Sequence, residues 1–130
     1  MMLTDGYQHM SDRDAATAVS RTEAHAEAAR AFVERARSRF DKHIEELYVF
    51  GSTVRGEARG LASDVDVLVV LDDADWETTA DGMRDIAYDV MLEYGPVVDL
   101  HILSTSTFER YQREDSPFIQ NVVTTGRSYA

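Results

Sequence analysis

The sequence predicts an α/β (α+β) domain, a small mixed β-sheet with helices packed on one face. Three observations predict it. Apolar residues recur at helical spacing in Ala29, Phe32, Val33, Ala36 and Phe40. The segment Asp64 to Leu71 reads Asp-Val-Asp-Val-Leu-Val-Val-Leu, a short strand. The two patterns then alternate along the chain, as expected of a sheet backed by helices.

Taken in order, Met1 to about Ser11 is polar and unpatterned, which predicts a frayed tail, with a single domain over 12–130. From about Asp12 the chain is alanine-rich, and Thr22 to Phe40 carries the helical stripe flanked by Arg30, Glu34, Arg37 and Arg39. Glu46 to Phe50 reads as a strand because Leu47, Tyr48, Val49 and Phe50 suit a pleated surface. Gly51 to Ser63 is a loop carrying Gly51, Gly56 and Gly60. In the following strand the later half is apolar on both faces, which predicts a central, doubly covered position. Trp76, Ala80, Met83, Ala87, Val90, Met91 and Tyr94 mark a helix that stops near Gly95-Pro96. Val97 to Leu103 is a third strand. Ser104 to about Gln112 and Pro117 to about Thr125 are short helices, and Gly126 suits the end of the second. Phe118, Ile119, Val122 and Val123 on that helix are either core or a partner-facing surface.

Composition excludes several functions. The 130 residues carry 13 Lys and Arg against 24 Asp and Glu, a formal net charge of −11. Such a surface repels a phosphate backbone, so no stable grip on duplex nucleic acid is expected, and anionic membranes are disfavoured too. With 0 cysteines, disulfides, thiolate catalysis and Cys-ligated zinc are excluded. The longest apolar run, Val67 to Leu71, is far too short to span a bilayer, and no leader-like segment opens the chain. A soluble, cytoplasmic protein is the expectation. Lys42 is the only lysine. Excess acid with almost no lysine resembles the composition of proteins from salt-loving archaea.

The chemistry gathers at one loop and the strand that follows it. A glycine after a strand lets backbone approach a phosphate closely, and loop N–H groups can cradle it. Ser52 can donate to a phosphate oxygen, and Arg55 and Arg59 add always-charged planar donors. Asp64 and Asp66 lie two apart on a strand, so both point to one face, roughly 6–7 Å apart between Cα atoms. Carboxylates that close repel unless a cation lies between them, and Mg²⁺ favours one or two carboxylates plus substrate phosphates. Asp99 lies in an otherwise apolar strand, where it is costly if buried unpaired. It is the candidate third carboxylate if that strand neighbours Asp64–Leu71, with His101 on its face. A buried acid paired to an arginine is the alternative. Asp12/Asp14 and Asp73/Asp75 repeat the Asp-x-Asp spacing without a Gly-Ser loop before them, and read as solvated or helix-capping. His9, His25 and His43 read as surface positions.

Gly51-Ser52, then eleven residues, then Asp64-x-Asp66 entering an apolar strand resembles the DNA-polymerase-β-like nucleotidyltransferases. The fuller run, Gly-Ser-x-x-Arg-Gly-Glu-Ala with Ser-Asp-x-Asp-x-Leu-Val-Val, resembles the minimal nucleotidyltransferases of prokaryotes, commonly encoded beside a HEPN-type helical partner. The likeness spans roughly Glu46 to Leu103. It implies that Gly51, Ser52 and Arg55 bind the nucleotide, and that Asp64, Asp66 and Asp99 are the catalytic carboxylates holding two Mg²⁺ ions. It implies transfer of AMP from ATP to a hydroxyl, for instance a tyrosine of a HEPN toxin, with this chain as the antitoxin. Larger relatives add a helical domain to grip the acceptor, so here another chain is expected to present it. Two other readings stay open: a non-catalytic module that neutralises a HEPN toxin by occlusion, and a transferase acting on a small molecule such as an antibiotic.

Overall fold

The computed structural model describes residues 10–51 and 65–129, with side chains from residue 23 onward. The element order is helix α1 (Met10–Phe40), a 3-10 turn (Asp41–His43), strand β1 (Ile44–Phe50), strand β2 (Val65–Leu71) and helix α2 (Trp76–Tyr94). Strand β3 (Val98–Ser104), helix α3 (Thr105–Arg113), helix α4 (Pro117–Thr125) and the two-residue strand β4 (Arg127–Ser128) follow. The sheet order is β3-β2-β1-β4. β1 is antiparallel to β2 and to β4, whereas β2 and β3 are parallel with α2 as their crossover. The sheet is therefore mixed, as expected.

Alternation along the strands sorts the core. Val65, Val67, Val69 and Leu71 of β2 face one way, with Leu47 and Val49 of β1 and Val98 of β3. Against them pack Ala28, Phe32 and Ala36 of α1 and Ala80, Met83, Ile86 and Val90 of α2. Small alanines on α1 let its backbone lie close to the sheet, while Phe32 and Met83, both 0% exposed, fill the space between. Each such side chain contributes about 1.5–3 kcal/mol by leaving water. A register shift between Ile44 and Glu46 returns Ile44 to this face.

The opposite face carries a second core. Leu68 and Val70 of β2 meet Phe50 of β1, Phe108 of α3, and Ile119 and Val122 of α4. The helices therefore do not all lie on one face, as the sequence had suggested. The long α1 and α2 take one side, and the two short C-terminal helices cover part of the other. The physical reason is in β2 itself, whose five residues from Val67 to Leu71 are all 0% exposed and could not leave either side to water.

Local chemistry sets the boundaries. The Ser104 hydroxyl accepts the Thr107 N–H at 3.2 Å and caps α3. Pro117 opens α4, where its missing N–H costs nothing. Gly126 N–H closes it on Val122 O at 2.8 Å, and the chain then turns straight into β4. That last strand, paired through Tyr48–Ser128 and Val49–Arg127, was not foreseen. Its sequence has no apolar alternation, and its pairing is extended by Tyr129 N–H donating to Leu47 O at 2.7 Å. Residues 1–9, on which most of the expected frayed tail falls, lie outside the described residues. No described helix is long and apolar enough to cross a membrane.

Candidate functional site

β1 ends, and β2 and β3 begin, at the same end of the sheet. The parallel register sets Asp66 of β2 beside Asp99 of β3, and the antiparallel register sets Asp66 beside Phe50 of β1. The neighbouring position is anchored by Val65 N–H donating to Val97 O at 2.9 Å. Because Asp99 and His101 are two apart on one strand, they share the face that Asp66 occupies. One ligand atom from each of Asp66, Asp99 and His101 lies within 4.8 Å of the others. His101 Nε2 stands 3.5 Å from Asp99 Oδ2.

Gly51 follows directly on Phe50 and closes this end. Its φ is +80°, and a Cβ placed there would stand 2.4 Å from Asp66 Oδ2. Both facts demand glycine. Any side chain would push the Asp66 carboxylate out of position, so backbone passes close to that oxygen only because residue 51 has no Cβ.

Aromatic rings wall the other side. His101 lies 5.8 Å from Phe50 and 5.2 Å from Phe118 between ring centroids, and Phe50 and Phe118 stand edge to face at 5.7 Å. Phe118 reaches the site because α4 buries Ile119 and Val122 beneath the sheet, leaving Phe118 and Val123 about 40% exposed (39% and 41%). The apolar residues of α4 thus divide between core and open surface. Two residues before Phe50 on the same face, burial holds the Tyr48 hydroxyl above the usual tyrosine range, assisted by the charge of Glu46 and a hydrogen bond donated to it at 3.2 Å.

Asp66 and Asp99 come together because β3 neighbours β2, the condition on which Asp99 was a candidate, and His101 shares their face. Asp99 is not buried: its side chain is 48% exposed, and its near neighbour is a histidine rather than an arginine. Ser52, Arg55 and Asp64 lie outside the described residues. The segment that contains them joins Gly51 to Val65, both at this end of the sheet. Asp73 and Asp75 are exposed, and Asp75 precedes α2 without a side-chain capping bond. His25 departs from expectation. It is 4% exposed within the α1 packing, whereas His43 is half-buried with Nδ1 3.1 Å from Asp72 Oδ1. Sequence reasoning did not place Phe118 at the site, because nothing local shows that α4 folds back onto the β3 face. The only available signal was Phe118 beside two residues, Ile119 and Val122, of the correct core spacing.

Chemically, two carboxylates and an imidazole converging on one spot make a donor set that fits a divalent cation. The glycine beside them lets backbone lie close against the Asp66 carboxylate.

Residues 29–127 match the family model of the nucleotidyltransferase domain. Among solved structures, a candidate nucleotidyltransferase from Sulfolobus solfataricus is similar at 29% identity, covering 72% of this chain and 78% of that one, with a TM-score of 0.46. No curated protein matches the chain.

Proposed function

Since the chain belongs to the nucleotidyltransferase domain family, matched over residues 29–127, we propose that it moves AMP from ATP onto a hydroxyl of a partner protein. The observation that carries this reading is the pairing of Asp66 with Asp99 on adjacent parallel strands, with Gly51 against the Asp66 carboxylate.

In the proposed reaction the acceptor oxygen forms a bond to the α-phosphorus, the bond from that phosphorus to the β-phosphate bridge breaks, and pyrophosphate leaves. Asp66, Asp99 and, from the adjoining segment, Asp64 would hold Mg²⁺. Bound there, the cations would offset charge on the attacking and leaving oxygens. Asp99, exposed at the cleft mouth, would also accept the proton of the attacking hydroxyl. Gly51 brings backbone to the phosphates, with Ser52 and Arg55 assigned as donors to their oxygens. The site opens to solvent at Asp99 and His101, which suits an acceptor presented by a second chain. A tyrosine of a HEPN-type helical protein is the acceptor that the sequence resemblance suggests, with this chain acting as its antitoxin.

The test is transfer of label from α-labelled ATP to a co-purified or co-expressed helical partner in the presence of Mg²⁺. Asp66→Asn and Asp99→Asn should each lower transfer by at least about a hundredfold, the scale on which losing a stabiliser of transition-state charge is felt. Thermal melts should show both variants folded. Full transfer by either variant would remove that carboxylate from the mechanism. Neutralisation of the partner by both inactive variants would favour occlusion instead.

A further inference from the structure

We infer that His101 is a metal ligand, and that it makes the cation site at Asp66 and Asp99 select Mn²⁺ over Mg²⁺. The inference rests on the proposed nucleotidyl-transfer reading of the site. It adds a nitrogen donor to a ligand set that the sequence resemblance gives as carboxylates alone.

The geometry supports a single ion shared by the three residues. Metal–ligand bonds to carboxylate oxygen or imidazole nitrogen are about 2.0–2.2 Å, so two donors on opposite sides of one ion stand about 4.2 Å apart. The Asp66, Asp99 and His101 donor atoms already lie within 4.8 Å. At most one pair of the three lies across the ion and the other pairs stand about 3 Å apart, so shifts of up to about an ångström at the side chains complete the set. His101 is also set apart from an ordinary surface histidine by what fixes its ring. Phe50 and Phe118 stand against it at 5.8 and 5.2 Å between centroids. Its 3.5 Å separation from Asp99 is too long for a strong hydrogen bond. Aromatic packing on both sides thus helps to hold the imidazole beside the acidic pair. The ring is also 38% exposed, so Nε2 is accessible to an ion arriving from the cleft.

The donor type decides the metal. Mg²⁺ demands near-ideal octahedral oxygen coordination and parts with water reluctantly, whereas imidazole suits the first-row transition metals. Among the latter, Mn²⁺ tolerates carboxylate, phosphate and water alongside one nitrogen, and so fits both this donor set and a nucleotide triphosphate.

The experiment is titration of the nucleotide-free full chain with Mn²⁺, followed by the loss of the free-ion electron paramagnetic resonance signal, with Mg²⁺ affinity read by competition. His101→Phe keeps a ring between Phe50 and Phe118 while removing both nitrogens. His101→Ala removes the ring as well. Both variants should weaken Mn²⁺ binding by about tenfold or more and change Mg²⁺ binding by less than about twofold, as loss of a nitrogen donor predicts. Unchanged Mn²⁺ affinity in His101→Phe would overturn the inference and leave the transfer reading standing. An equal loss for both ions would overturn it as well, since that marks a packing role. A selective Mn²⁺ loss in a chain that transfers no nucleotide with either ion would keep the ligand and remove the transfer reading. Binding of neither ion by the unaltered chain would end both.

Discussion

Gly51 and Asp66 show how one backbone angle can govern a site. At φ +80° an L side chain pays a steric penalty of about 1–2 kcal/mol. The second constraint is independent of the first: the 2.4 Å gap between a Cβ and Asp66 Oδ2 must open before the residue fits. Gly51→Ala should therefore lower stability by about 1–3 kcal/mol, at the upper end of what a left-handed position alone costs. It should also displace the carboxylate that the site needs. Denaturant unfolding reads the first effect and Mn²⁺ titration the second. If stability falls while cation affinity holds, the close approach has no part in ordering Asp66. At this scale the sequence was legible in part: the glycine after a strand and the polar pair in β3 meet beside Asp66, whereas Asp64, the other half of the Asp-x-Asp spacing, lies outside the described residues. It was not legible where a residue's role depends on distant chain, as for Phe118 beside His101 or for His25, buried at 4% exposure within a helix whose polar pattern looked superficial.

Elements behaved as their periodicities required, and the departures have physical causes. α2 was legible from its apolar stripe, although it carries Gly82 at mid-length, where glycine normally costs about 1 kcal/mol against alanine. The structure explains the residue. A Cβ at position 82 would stand 2.3 Å from Cζ and 2.7 Å from Cε2 of Phe40, the last residue of α1. Glycine here lets the tip of the Phe40 ring reach the α2 backbone, so interhelical packing outweighs helix propensity. Gly82→Ala should consequently destabilise the fold by about 1–3 kcal/mol, as overpacking does, despite its better propensity. In a Phe40→Leu background the same change should cost less than about half as much or become favourable, because the obstructing ring is gone. Equilibrium unfolding of the four chains measures the coupling, and additive effects would show that the two residues do not meet. β4 was illegible for a different reason. Two residues with no alternation cannot announce a strand, and its existence depends on β1 offering an open edge.

At the scale of the whole molecule, the charge of −11 and the anionic substrate class stand in tension. In the proposed reaction a nucleotide triphosphate would have to approach a strongly negative chain, and two of the carboxylates it would meet are Asp66 and Asp99. The cations proposed for those carboxylates would reverse the sign locally. Over longer distances the field remains repulsive and falls off with the Debye length, about 8 Å at 0.15 M salt and about 3 Å at 1 M. Most proteins that bind anionic ligands rely on attraction and lose affinity as salt rises. Here salt should remove a barrier instead. The KM for ATP at saturating divalent cation should fall as KCl is raised from about 0.1 M to about 1 M, by about two- to tenfold, the lower part of the range over which steering fields alter association. The melting temperature should rise over the same interval, because screening also relieves the self-repulsion of the folded chain. The two effects separate through kcat: screening of substrate approach lowers KM and leaves kcat unchanged. A kcat that climbs in step with the folded fraction would instead assign the whole salt effect to stability. A KM that rises with salt would mean that arginines near the loop, Arg55 foremost, set the local field and outweigh the net charge of the molecule.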